Sequence, residues 1–219
     1  MSLEEVNLAI NDSCQKSGRD ISDVKLIAVS KLHSVNEIEK VISTGHKVFG
    51  ENRVQEALEK FIPLKEKYKD LELHLIGSLQ TNKVKEAVTV FDVIHTIDRI
   101  KLADALKTEM DKQNKNLPCF IQVNTGDEEQ KGGVSLGELD ALLKHCRDNL
   151  KLNIKGLMCI PPANETPDMH FALMNKLAKE HSLECLSMGM SSDFETAIKY
   201  GATDIRIGSA IFGERKTAA

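Results

Sequence analysis

The strongest constraint on this chain is a regular alternation of short apolar runs with amphipathic stretches of helical period. Eight runs read as strands: Val24–Val29, Lys47–Phe49, Leu73–Ile76, Val93–Thr96, Cys119–Val123, Ile154–Ile160, Cys185–Met188 and Asp204–Ile207. Between them, helix-period patterns cover Val35–Ser43, Asn52–Tyr68, Thr81–Thr89, Arg99–Gln113, Leu136–Asp148, Asp168–His181 and Asp193–Tyr200. A further helical pattern, Leu3–Lys16, precedes the first strand, and Ser209–Glu214 is left for a helix after the last. Strand after helix after strand implies parallel pairing through right-handed crossovers. Nearly unbroken apolar strands fit a sheet covered on both faces. Eight such units predict an α/β fold, a (β/α)8 TIM-type barrel with an extra N-terminal helix, as one domain over residues 1–219. An open doubly wound sheet is the alternative. No G-x-G-x-x-G follows the first strand, which disfavours a dinucleotide-binding version.

Charge and composition narrow the partners. The formal charge is −4 with pI near 6.0, which argues against a chain built to grip nucleic acid or an anionic membrane. Trp is absent, so a base-stacking surface is disfavoured. No apolar run reaches the roughly 18 residues of a membrane span. The start, Met1-Ser-Leu-Glu-Glu, lacks the basic and apolar regions of a signal peptide. Cys14, Cys119, Cys146, Cys159 and Cys185 are scattered and make no C-x-x-C, which fits reduced thiols and a cytoplasmic location. The longest irregular stretch is Asn124–Ser135.

In this architecture chemistry gathers where strands end and loops begin. Lys31 follows Leu26-Ile27-Ala28-Val29 and would enter a barrel mouth. A partly buried amine there can form a Schiff base; it can equally snorkel into solvent. Met188-Gly189-Met190-Ser191-Ser192 precedes a helical pattern, and Gly208-Ser209 follows the last strand. Two adjacent glycine/serine corners suit a phosphate. The competing use is capping, with Ser191 or Ser192 as N-cap and Glu195 completing a capping box. Arg206 sits on the opposite face from Ile205 and Ile207, where it could face a ligand; an ion pair with a carboxylate is the better reading of the residue alone. His33, near Lys31, reads as a solvated loop residue that could orient a ligand. His33, His46, His74, His95, His145, His170 and His181 show no metal-ligand spacing, so no metal is expected.

Six segments together resemble one family. They are Ala28-Val29-Ser30-Lys31; Phe49-Gly50-Glu51-Asn52-x-Val54-Gln55-Glu56; and His74-x-Ile76-Gly77-x-Leu79-Gln80-x-Asn82-Lys83. Gly156-Leu157-Met158, Leu186-Ser187-Met188-Gly189-Met190-Ser191-x-Asp193 and Arg206-Ile207-Gly208-x-Ala210-Ile211-Phe212-Gly213 complete the set. The chain resembles the pyridoxal phosphate homeostasis proteins, relatives of the N-terminal barrel of alanine racemase, over nearly its whole length. The resemblance implies a fold-type III barrel binding pyridoxal 5'-phosphate (PLP). It implies that Lys31 forms the Schiff base with PLP, that Ser191, Gly208 and Ser209 bind phosphate with Ser192 as helper, and that Arg206 faces the pyridine nitrogen. Asn52 matches a residue close to the ring, and Met188 and Met158 match pocket-lining positions. Arg53 stands where many members have an aromatic, Ser209 where Thr is common, Leu32-His33-Ser34 where a Thr- and Pro-containing run is usual, and Ser135 where Pro is common. These departures bear on the pocket rim.

Three functions are open at this point. One is a PLP-binding protein of vitamin B6 homeostasis without robust catalysis, a cytoplasmic monomer, with PLP-dependent apo-enzymes as recipients. The second is a PLP-dependent racemase-type enzyme. Inversion needs an acid and a base on opposite faces of the substrate. A barrel filling 219 residues leaves no room for the second domain that completes alanine racemase, and Tyr68 and Tyr200 fall on helices. The third is a Schiff-base aldolase without PLP, disfavoured because Lys155 begins the sixth strand, at the wrong end. The first is the expectation taken forward.

Overall fold

A computed structural model describes residues 2–128 and 132–213. Eight parallel strands close into a barrel in sequence order: β1 Lys25–Val29, β2 Val48–Glu51, β3 Glu72–Leu75, β4 Val93–Ile97, β5 Cys119–Gln122, β6 Ile154–Met158, β7 Cys185–Met190 and β8 Asp204–Ile207. Closure comes from β8 pairing with β1, with Ile27 opposite Arg206. The helices are α1 Leu3–Lys16, α2 Val35–Ser43, α3 Val54–Lys67, α4 Val84–Val90, α5 Ile100–Lys112, α6 Leu139–Lys144, α7 Pro167–Glu180, α8 Phe194–Lys199 and α9 Ser209–Phe212. The barrel expected from the alternation is therefore the observed fold. Of the segments singled out above, residues 129–131 and Glu214 lie outside the described residues.

Local signals set several boundaries. Ser2 and Ser34 begin α1 and α2 with reciprocal capping boxes to Glu5 and Glu37. The pattern over Leu136–Asp148 forms α6 and then a π-helical turn, His145–Asn149. Arg19 ties the chain after α1 to the end of α8 and the loop that follows it, donating to the carbonyls of Ile198 and Ala202 at 3.0 and 2.7 Å.

Strand residues alternate between two environments. Leu26, Ala28, Leu186, Met188, Ile205 and Ile207 join the large core between strands and helices. Val93, Phe120 and Met158 form a separate small cluster inside the barrel. Ile27, paired with Arg206, and polar residues share the rest of the interior. His95 on β4 bonds Ser187 on β7 at 2.9 Å; these strands are not neighbours in the barrel, so the bond spans its lumen. All five cysteines are free thiols. Burial pushes Cys159 up to about 12, which leaves it protonated and inert.

Candidate functional site

A cavity of about 330 Å³ opens at the carboxyl ends of the strands, where this fold collects chemistry. Lys31, Asn52, Ser191, Ser192, Arg206, Gly208 and Ser209 all line it. They come from the loops after β1, β2, β7 and β8 and from β8 itself. Val29, Ile76, Ile160 and Met190 add apolar walls.

Lys31 sits in a tight turn closed by the His33 amide on the Ser30 carbonyl at 3.1 Å. The next residue, Leu32, has φ 65°, a left-handed conformation that costs a branched side chain energy and so needs outside support. Support comes from Glu56, whose Oε1 accepts the Leu32 amide at 2.6 Å and the Lys60 ammonium at 2.5 Å. Lys60 also donates to the Ser30 carbonyl at 3.0 Å and to Glu51 at 3.2 Å. Glu51 is fully buried and accepts from Ser30 Oγ at 2.7 Å. Burial pushes its carboxyl above the usual range, and the Lys60 charge pulls against that shift. The sequence shows Glu51 only as part of a motif. Its ion-pair partner, nine residues on along α3, becomes visible only when α3 folds back over β2.

Asn52 reaches the cavity because Gly77 lets the two backbones touch. A Cβ on Gly77 would lie 2.3 Å from the Asn52 carbonyl oxygen, closer than atoms can approach.

Ser191 and Ser209 meet at the far side, with their hydroxyl oxygens 3.3 Å apart. The capping alternative does not hold. Asp193 is the N-cap position of α8, and its Oδ1 accepts the Met190 amide at 2.6 Å. The serines lie outside the helix, facing the cavity. Amides at the starts of α8 and α9 have no acceptor within their own helices, so this corner offers N–H and O–H donors together.

Arg206 forms the floor and is 4% exposed. The ion pair expected for it is not what the fold supplies. Nη1 donates to Ser187 Oγ at 2.7 Å and Nη2 to the Cys159 carbonyl at 2.8 Å. No carboxylate bonds it among the described residues. Burial presses its pKa down, but an arginine stays cationic in a protein. Neutral acceptors hold this cation without neutralising it.

Three further expectations need correction. Met188 is fully buried in the core between strands and helices and does not line the cavity. Alternation along β7 turns it outward because Ser187 points inward. Gly189, at φ 93°, then breaks the alternation, and Met190 takes the wall position. Met158 is inside the barrel but packs with Val93 and Phe120, away from the lining. His33 is not a solvated loop residue. It is buried, stacks on Phe212 with centroids 4.7 Å apart, and lies 3.5 Å from Glu37 at the cavity edge. Tyr68 and Tyr200 follow α3 and α8 and do not line the cavity. Lys155 faces a different cavity at the opposite end of the barrel.

The donor set fits a phosphorylated pyridine aldehyde. It combines a primary amine at the strand end, paired hydroxyls at a two-loop corner, a cation at the floor and apolar walls between them. Comparison with known proteins leads the same way. The family model for the alanine racemase N-terminal domain matches residues 9–216. The pyridoxal phosphate homeostasis protein of Aquifex aeolicus is 42% identical, with 98% of this chain and 97% of that protein covered. The structure of PipY from Synechococcus elongatus with PLP bound is 35% identical, with a TM-score of 0.83, over 93% of this chain and 100% of that one. Alanine racemase of Corynebacterium glutamicum shares the fold at 20% identity and a TM-score of 0.68, covering 100% of this chain and 63% of the racemase.

Proposed function

The chain belongs to the pyridoxal phosphate homeostasis protein family, and from that premise we propose that it binds PLP at the barrel mouth and serves vitamin B6 homeostasis without robust catalysis. One observation carries the reading: Lys31, the Ser191/Ser209 hydroxyl pair and the Arg206 guanidinium converge on one cavity. When bound, PLP supplies an aldehyde that condenses with a primary amine. Lys31 presents that amine, braced by the Ser30–Glu51–Lys60–Glu56 network behind it. Ser191, Ser192, Gly208 and Ser209 hold the phosphate. Asn52 and the apolar walls confine the ring.

Arg206 decides the chemical character of the site. A fixed cation facing the pyridine nitrogen disfavours protonation there, which makes the ring a weaker electron sink. Inversion at an amino-acid carbon would also need acid and base groups on opposite faces. Among the described lining residues, the titratable groups other than Arg206 are Lys31 and His33, both from the loop after β1. This argues for holding and releasing PLP over a racemase-type activity. We place the protein in the cytoplasm as a single monomeric barrel that delivers PLP to apo-enzymes. Its exposed large apolar side chains, such as Leu8, Ile62 and Met169, are spread over separate helices, and no helix among the described residues is long and apolar enough to cross a membrane.

The deciding experiment is borohydride reduction of the protein with PLP, followed by peptide mass mapping. A phosphopyridoxyl adduct on Lys31 alone is the expected result. No adduct, or adducts spread over surface lysines, would overturn the reading. Steady racemisation of an amino acid, lost in Lys31→Ala, would move the assignment to the enzyme.

A further inference from the structure

At the end of the barrel opposite Lys31, three strands bring together residues far apart in the chain: His74 from β3, His95 from β4 and Asp204 from β8. All are buried, at 1%, 0% and 6% exposure. One potential ligand atom from each lies within 4.8 Å of the other two. The rings meet nitrogen to nitrogen, with His74 Nδ1 2.7 Å from His95 Nε2.

The outer nitrogens have partners of their own. His74 Nε2 is 2.6 Å from Glu72 Oε1, and His95 Nδ1 is 2.9 Å from Ser187 Oγ. This is the outer-shell arrangement that fixes tautomer and orientation in metal-binding histidines. His95 is further held by stacking on Phe120, with centroids 4.3 Å apart. Asp204 is positioned by the Thr203 hydroxyl at 2.7 Å. A cavity of about 440 Å³ reaches His74 and Asp204 from outside, giving an ion a way in and water a place to stand.

We propose that His74 Nδ1, His95 Nε2 and an Asp204 carboxylate oxygen bind a divalent transition-metal ion of the Zn²⁺ class, with a cavity water completing a tetrahedron. Two imidazoles and one carboxylate select such an ion over Mg²⁺ or Ca²⁺, which take mostly oxygen ligands. Zn–N bonds of about 2.0–2.1 Å would set the two ring nitrogens about 3.3 Å apart, so the rings separate by roughly half an ångström. Metal binding switches His95 to its other neutral tautomer: Nε2 gives the proton between the rings to water and Nδ1 takes one from water, so that Nδ1–H donates to Ser187 Oγ, while His74 Nε2–H keeps its bond to Glu72. Two cations line the same cavity. Lys25 is paired with Glu72 at 2.8 Å, and Lys155 stands at the rim; both moderate the affinity. The three ligands lie on separate strands and have no local spacing in the chain, so no sequence motif marks the site.

The test uses the full, untagged chain stripped of metal by chelation and titrated with Co²⁺, with no PLP needed. The expected result is one Co²⁺ per chain with the intense visible bands of tetrahedral coordination, displaced by Zn²⁺. Asp204→Asn and His95→Gln should each weaken binding at least tenfold. Absence of the bands, or equal binding in both variants, would overturn the site and leave the cluster as a closed hydrogen-bond chain. Should a variant fail to fold, imidazole NMR signals of the parent protein decide. Zn²⁺ must shift those of His74 and His95, and a shift confined to other histidines refutes the proposal.

Discussion

The two ends of the barrel use the same eight strands but hold their polar groups differently. At the carboxyl end, Lys31 and Ser191 sit on loops and Ser209 at the start of α9, partly or fully open to the cavity. At the amino end, His74, His95 and Asp204 are buried on the strands and bonded within the interior. Loop positions can change with little cost to the fold because water replaces what is lost. Buried strand positions cannot, because a polar partner left behind stays unsatisfied. Arg206 belongs to both ends. It floors the cavity, and through Ser187 it connects to His95, His74 and Glu72 in one line of hydrogen bonds.

The sharpest way to break this contrast is Arg206→Ala. It takes one of two partners from Ser187 Oγ, removes the guanidinium donor from the Cys159 carbonyl and opens a void, so stability should fall by about 3 kcal/mol or more in denaturant unfolding. A loss under about 1 kcal/mol would show that the interior network does not support the fold. Gly77→Ala comes next. Its Cβ must displace the Asn52 backbone, which should cost about 2 kcal/mol and weaken PLP retention together, because Asn52 lines the cavity. An unchanged melting midpoint would mean that the loop after β3 yields freely.

Ser191→Ala with Ser209→Ala probes the mouth alone. Stability should stay within about 0.5 kcal/mol, while PLP affinity drops about tenfold or more through lost hydrogen bonds to a charged phosphate. Equal affinity in this double variant would sink the phosphate assignment. The smallest effect belongs to Glu51→Gln. Burial raises the folded Glu51 pKa above its unfolded value. Between those two values the folded state binds more protons, so Glu51's contribution makes stability rise as pH falls through that window. Thermal midpoints against pH should lose this slope in the variant; the same slope in both proteins would assign it to another group.

Much of this molecule is legible along the chain. The alternating periods identify the barrel because a parallel strand covered on both faces and a half-buried helix leave different hydrophobic repeats. Lys31 and the glycine/serine corners were readable because the fold fixes where strand ends go. That Met190 and not Met188 takes the wall position was not readable, since one left-handed glycine, Gly189, shifts the alternation after it. Neither were the neutral partners of Arg206, the Lys60 brace behind Lys31, nor the stacking of His33 on Phe212. Each depends on side chains from separate elements meeting in space. The sequence by itself determined the fold and the residue types at the mouth, through local periodicity and strand-end position. Only tertiary structure decided which groups share a cavity, which are buried without a counter-charge, and that His74, His95 and Asp204 face one point, because closing the barrel brings β8 back beside β1 and across from β4.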